Sequence, residues 1–189
     1  GIHTQLPVLL SEYSFYNTQD VETYLALLKE TPAYFDSVIQ FEQKKAASGL
    51  FMPDYQADSV LDTCQSFIDM GKENYLVSTF NERIASLDLL PENKKDSFQK
   101  ENIKLVTEEI YPAYQNLITA IKSLKGKGMN EQGLSHFPYG KKYYEYLVRQ
   151  TTGCNESISR LRLMTRAQIL EDLSAMQKVL FPADAALTQ

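Results

Sequence analysis

Apolar residues recur at three- and four-residue spacing along nearly the whole chain, while alternating runs bounded by turn residues are missing. A helix gathers residues i, i+3 and i+4 on one face and a strand needs a period of two, so the pattern predicts an all-α fold. Thr18 before Gln19 and Asp20 reads as a helix cap, followed by one stripe of Val21, Tyr24, Leu25 and Leu28. Thr31-Pro32 is expected to end that helix and open a second, which carries Phe35, Val38, Ile39 and Ala46 until Gly49 stops it. A third opens at Pro53-Asp54 with Val60, Leu61, Cys64, Phe67 and Ile68 on one side, ending near Gly71, and a fourth runs from about Glu73 to Leu87.

From Pro91 to Lys125 the spacing predicts one long helix, kinked where Pro112 removes a backbone hydrogen bond. Gly126 to Pro138 is the longest irregular connection, rich in Gly and Pro, and loops of that length often carry function. Tyr143, Tyr144, Leu147 and Val148 mark a short helix, Thr151-Thr152-Gly153 a break, and Asn155 the expected cap of a final helix using Ile158, Leu161, Ile169, Leu173, Met176 and Leu180. The expected architecture is a multi-helix array of about seven helices, filling residues 1–189 as a single helical domain or part-domain of a larger chain. No repeat, low-complexity tract or linker divides it.

A length of 189 residues with 43% hydrophobic and 23% charged side chains suits a packed globular core. The net charge of −5 gives no general attraction to phosphate backbones, so nucleic acid is not an expected partner. Twelve Tyr and nine Phe without Trp point to an aromatic-rich core or groove. Cys64 and Cys154 are too few for a disulfide framework and lie in no paired metal motif; they read as small apolar residues, with a single bridge as the alternative. No stretch approaches the length of a membrane span, and the first residues lack a signal peptide's basic start and apolar core. A start at Gly rather than Met is what an excised domain looks like, so localisation must come from elsewhere.

No catalytic constellation is visible in these residues. A catalytic zinc needs about three protein ligands, and the chain offers only His3 and His136, far apart and outside any His-Glu-x-x-His pair. There is no Gly-x-Ser-x-Gly elbow, and Gly126-Lys127-Gly128 lacks the preceding strand and full spacing of a phosphate loop. Glu108-Glu109 and Glu171-Asp172 read as solvated helix faces rather than an acid/base pair. The expectation is no catalytic and no metal-ligating residue in this chain. One segment does concentrate useful groups: Gly133 to Tyr144 brings an imidazole, two lysines and three phenols to one helix N-terminus, where free N–H groups favour anions. It could hold a peptide carboxylate or carbonyl; alternatively Tyr143 and Tyr144 pack into the core while Lys141 and Lys142 are solvated.

The run Gln5 to Phe15, then Asp20-Val21-Glu22-Thr23-Tyr24-Leu25 and Pro32-Ala33-Tyr34-Phe35, resembles a large bacterial family numbered 885 among domains of unknown function. Gly49-Leu50-Phe51, Tyr111-Pro112-Ala113-Tyr114, Gly133-Leu134, Pro138 to Glu145 and Thr151-Thr152-Gly153 follow in the family's order, so the resemblance covers essentially the whole chain. It implies a parent that is a helical zinc metallopeptidase with a His-Glu-x-x-x-Gly-His type of segment toward its C-terminus, none of which is in this chain. The piece would then be a noncatalytic wall and cover of a substrate channel, with zinc held by the full-length parent. Secretion or lipoprotein signals in many members imply an extracytoplasmic parent. Tyr139, Lys141 and Tyr144 match the family's stretch, and the loop argument assigns them to substrate binding; His136 departs from the apolar residue expected there. Expected partners are the C-terminal remainder of the parent and a peptide substrate, and self-association is expected where a shared core has been cut. The alternative is a helical protein- or peptide-binding module with no peptidase activity.

Overall fold

The computed structural model describes residues 1–88, 90–129 and 132–181, and among them there are only helices, turns and irregular segments. The chain divides into two compact units, 1–131 and 132–189. The first holds α1 (Ile2–Glu12), α2 (Thr18–Ala47), α3 (Asp54–Asp69), α4 (Tyr75–Ala85), α5 (Glu92–Leu105) and α6 (Tyr111–Leu124). The second holds α7 (Gly140–Thr152) and α8 (Ile158–Leu180). With α5 and α6 taken as one rod, that is seven helical rods among the described residues; the number is the one expected, but it includes α1, which was not, and one rod where two were expected at Pro32.

Three local differences from the sequence reading have physical causes. Thr31-Pro32 does not break the chain, because α2 runs through it for 30 residues. A proline inside a helix costs about 3 kcal/mol or more. Buried Val21, Tyr24, Leu25 and Leu28 before it and Phe35 after it offset that cost. Thr31 also turns inward, its hydroxyl donating to the Leu27 carbonyl at 3.1 Å. At Pro112 the rod runs on as expected, but ahead of the proline Val106–Ile110 form a π turn between α5 and α6 that the spacing did not signal. Both Val106 and Ile110 are buried there. The third difference is α1, which spacing alone did not suggest, since it carries Pro7 inside and no side-chain cap.

The first unit is organised around α6, which packs against both α2 and α3, while α4 lies against α1 and α5. One half of its core is Tyr114, whose ring stacks on Phe67 at 4.4 Å and meets Phe35 edge-on at 4.9 Å. The other half joins Phe15, Tyr24 and Phe80, with ring centroids 5.3 to 5.4 Å apart. Arg83 closes that half. Its guanidinium sits 4.7 Å from the Phe15 ring and 5.4 Å from the Tyr24 ring while donating to the Leu10 and Tyr13 carbonyls. It therefore serves the open carbonyls at the end of α1, a task that helix termini otherwise leave to water or a left-handed glycine. Asn74 is fully buried, capping α4 through the Leu76 N–H and donating to the Phe67 carbonyl.

The two cysteines are free thiols, Cys64 buried in the first unit and Cys154 half-buried in the second. Burial pushes the Cys64 thiol from an ordinary 9.0 up to about 11 and the Tyr24 phenol from 10.0 up to about 12, Arg83 opposing the latter. Each folded value lies above its unfolded one, so the neutral forms stabilise the fold fully below pH 9 and that contribution is lost as pH rises through about 11 to 12. The urea midpoint should accordingly fall between pH 9 and pH 12. A midpoint that stays flat over that range would contradict the burial of these two groups.

Candidate functional site

The segment ahead of α7 is shaped by backbone demands that few residues satisfy. Gly133 has φ 87°, Leu134–His136 make one 3-10 turn, and Tyr139 takes φ 60° and ψ 9°, the left-handed region that L side chains avoid. Such a conformation costs about 1–3 kcal/mol for a residue with a Cβ and clusters at functional sites. Gly140 follows because nothing larger fits. A Cβ there would lie 1.6 Å from the Leu134 carbonyl oxygen, while its N–H donates to Phe137. The tight return sets where α7 begins and so fixes the register of every side chain on it.

Lys141 and Tyr144, three residues apart, share one side of α7. With Glu145, Leu134, Ser135 and Ile158 they line a hollow of about 400 Å³ within the second unit. Tyr139 does not line it: its ring is 80% exposed, with the Lys142 ammonium 6.0 Å from its centroid. The structure thus brings two of the three predicted site residues to one depression and leaves the third on the neighbouring surface. Tyr143 and Tyr144 are not core residues, being 52% and 49% exposed, which corrects the packing alternative. They are exposed because α7 has only Gly140 buried. Tyr143 forms its own pair with Tyr146, the two rings nearly parallel at 6.2 Å.

Cap chemistry places the last helix two residues later than Asn155 suggested: Ser157 is the cap, its hydroxyl accepting from the Arg160 N–H at 3.2 Å. The apolar positions expected on that helix lie on α8, none of whose residues is buried. His136 is exposed, on the 3-10 turn.

A larger hollow, about 610 Å³, lies in the first unit and was not legible in the sequence. Its apolar lining includes Phe35, Leu117 and Ile121, and its polar lining includes His3 and the Glu42–Lys45 ion pair, which is 2.9 Å long. Burial lowers the His3 pKa, so the imidazole there is held toward its neutral form. The hollow needs α1, α2, α3 and α6 together, and no local spacing signals such an assembly. Among the described residues no three His, Cys, Asp or Glu side chains converge as a metal site would require, and no helix is long and apolar enough to cross a membrane.

Residues 1–183 match the model of a family described as "Bacterial protein of unknown function (DUF885)". No curated protein matches the chain. Its fold is similar to a crystal structure described as "the putative lipoprotein from Colwellia psychrerythraea", with a TM-score of 0.80 at 19% identity over 96% of this chain. The chain spans 32% of the length of that protein.

Proposed function

Since this chain belongs to the bacterial protein family DUF885, we propose that it is a noncatalytic helical part of a larger zinc metallopeptidase, forming a wall and cover of the substrate channel. Lys141 and Tyr144 contact the peptide there, with Tyr139 on the adjoining surface. The observation that carries this reading is the second unit, where a hollow holding an ammonium and a phenol opens on a helix that buries almost nothing. A lysine suits a terminal carboxylate, and a tyrosine hydroxyl can donate to a polarised carbonyl while its ring stays rigid. The zinc and the acid/base groups belong to the remainder of the parent, which also covers the apolar faces exposed here. A solved relative of which this chain matches only 32% agrees with a part of a longer polypeptide, and its description as a lipoprotein agrees with an extracytoplasmic, lipid-anchored parent.

The stacked, exposed Tyr143–Tyr146 pair favours a second reading, a helical module that binds peptide or protein without any peptidase activity. Peptide hydrolysis separates the two. The parent protein should cleave a quenched fluorescent peptide library, with activity removed by a chelator and restored by zinc, and this chain alone should cleave none of it. A parent that binds peptides and never cleaves them would sink the peptidase reading and leave the binding module.

A further inference from the structure

We propose that the hollow of about 610 Å³ in the first unit binds an uncharged amphipathic small molecule, one with an apolar body and a hydrogen-bonding group such as an amide, an amine or a hydroxyl. The inference stands on the first unit alone and does not depend on the peptidase reading. Sites for small molecules commonly enclose roughly 300–1,000 Å³, and this hollow falls within that range. Along α2 its lining runs from Phe35 through Val38 and Glu42 to Lys45, about a turn apart each time, so it follows that helix for about 15 Å at 1.5 Å per residue.

Two ties hold its walls in place. The Tyr114 hydroxyl donates to the His3 carbonyl while its ring meets Phe35 edge-on at 4.9 Å, which joins the start of α1 to α6 and α2. Beyond the end of α6, Lys125 pairs with Asp58 and the Gly126 N–H donates to the Asp54 carboxylate at 2.8 Å, which joins that end to α3. A ligand entering walls already fixed loses little to ordering them.

Charge then decides which ligand fits. The titratable side chains of the lining are His3, Glu42 and Lys45. Glu42 and Lys45 neutralise each other, both carboxylate oxygens accepting from the ammonium at 2.9 Å, and burial holds the His3 imidazole toward its neutral form. A charged ligand brought against Phe35, Val38, Leu117 and Ile121 would lose water without gaining a counter-charge. Phosphorylated compounds and fatty acids are disfavoured on that ground. A neutral ligand still finds partners, because Gln56, Ser59 and Thr63, spaced 3 and 4 apart, line the hollow from one face of α3.

Two fluorescent probes with the same aromatic body, neutral phenylnaphthylamine and anionic anilinonaphthalene sulfonate, test this on the parent protein. The neutral probe should bind about tenfold or more tightly than the sulfonate. Ser59 is exposed, so Ser59→Trp should fill the hollow and remove that binding while the melting temperature holds. Should that variant not fold, Thr63→Trp, from an exposed position on the same face, serves in its place. Glu42→Gln leaves the Lys45 ammonium without its carboxylate and should reverse the order of the two probes. No binding of the neutral probe, or equal or tighter binding of the sulfonate by the unaltered protein, would overturn the proposal. Binding that a folded Trp variant leaves intact would overturn it too, as would a Glu42→Gln protein that still prefers the neutral probe. A parent that meets these expectations but cleaves no peptide would refute only the peptidase reading.

Discussion

Phe80→Ala should destabilise the first unit by about 3–5 kcal/mol, among the largest losses expected from a single side chain. The Phe80 ring is fully buried on α4 and lies 5.3 Å from Phe15 and 5.4 Å from Tyr24, centroid to centroid. Removing it takes away transfer free energy and edge-on aromatic contact, and opens a cavity that rigid neighbours cannot fill. The cost spreads beyond the hole, because Arg83 rests on Phe15 and Tyr24 while holding the carbonyls at the end of α1. α1 should therefore loosen together with α4. Small domains have only about 5–15 kcal/mol in total, so the variant gives up a large share of its stability and should melt at a clearly lower temperature. Phe80→Leu keeps much of the volume and should lose clearly less. Urea denaturation followed by far-UV circular dichroism reads the effect, and a loss below about 1 kcal/mol for the Ala variant would contradict this packing.

The second large effect is on rate. In the full-length parent, Tyr144→Phe should lower peptide turnover about a hundredfold, the usual cost of removing one donor to a developing oxyanion. Because Tyr144 is 49% exposed beside its hollow, the substitution leaves packing intact and the melting temperature should hardly move. Tyr139→Phe should also reduce turnover, through the substrate contact proposed for it on the adjoining surface. Steady-state kinetics on both variants, with thermal melts on the same samples, separates a lost hydroxyl from a lost fold. Normal turnover in both would end the assignment of this loop to the channel.

The sequence was a good guide wherever local physics decides. The stripe Val21, Tyr24, Leu25, Leu28 is buried as its spacing predicted, and the α3 stripe delivers Cys64 and Phe67 to the core. It misled where burial overrides a local signal. Pro32 reads as a stop, yet apolar contacts on both sides of it carry α2 through. Pro112 reads as a kink, and what the sequence did not signal is the π turn before it, which leaves both Val106 and Ile110 buried. On α8 the misreading runs the other way. An amphipathic stripe implies a partner but cannot say where the partner lies, and none of the α8 residues is buried. Lys141 and Tyr144 could be paired from their spacing, whereas the left-handed turn at Tyr139 that directs its ring away has no signature beyond the Gly140 next to it. The 610 Å³ hollow of the first unit was beyond reach, being a product of four helices distant in sequence.

The central claim, that this chain is the noncatalytic part of a zinc enzyme, is tested most directly by the zinc-to-protein ratio of purified samples measured by elemental analysis. After dialysis without chelator, the parent protein should carry one zinc per chain and this chain should carry no stoichiometric zinc, since on this proposal the set of about three ligands comes from elsewhere in the parent. A parent that binds no zinc, or one zinc bound per copy of this chain alone, would contradict the account.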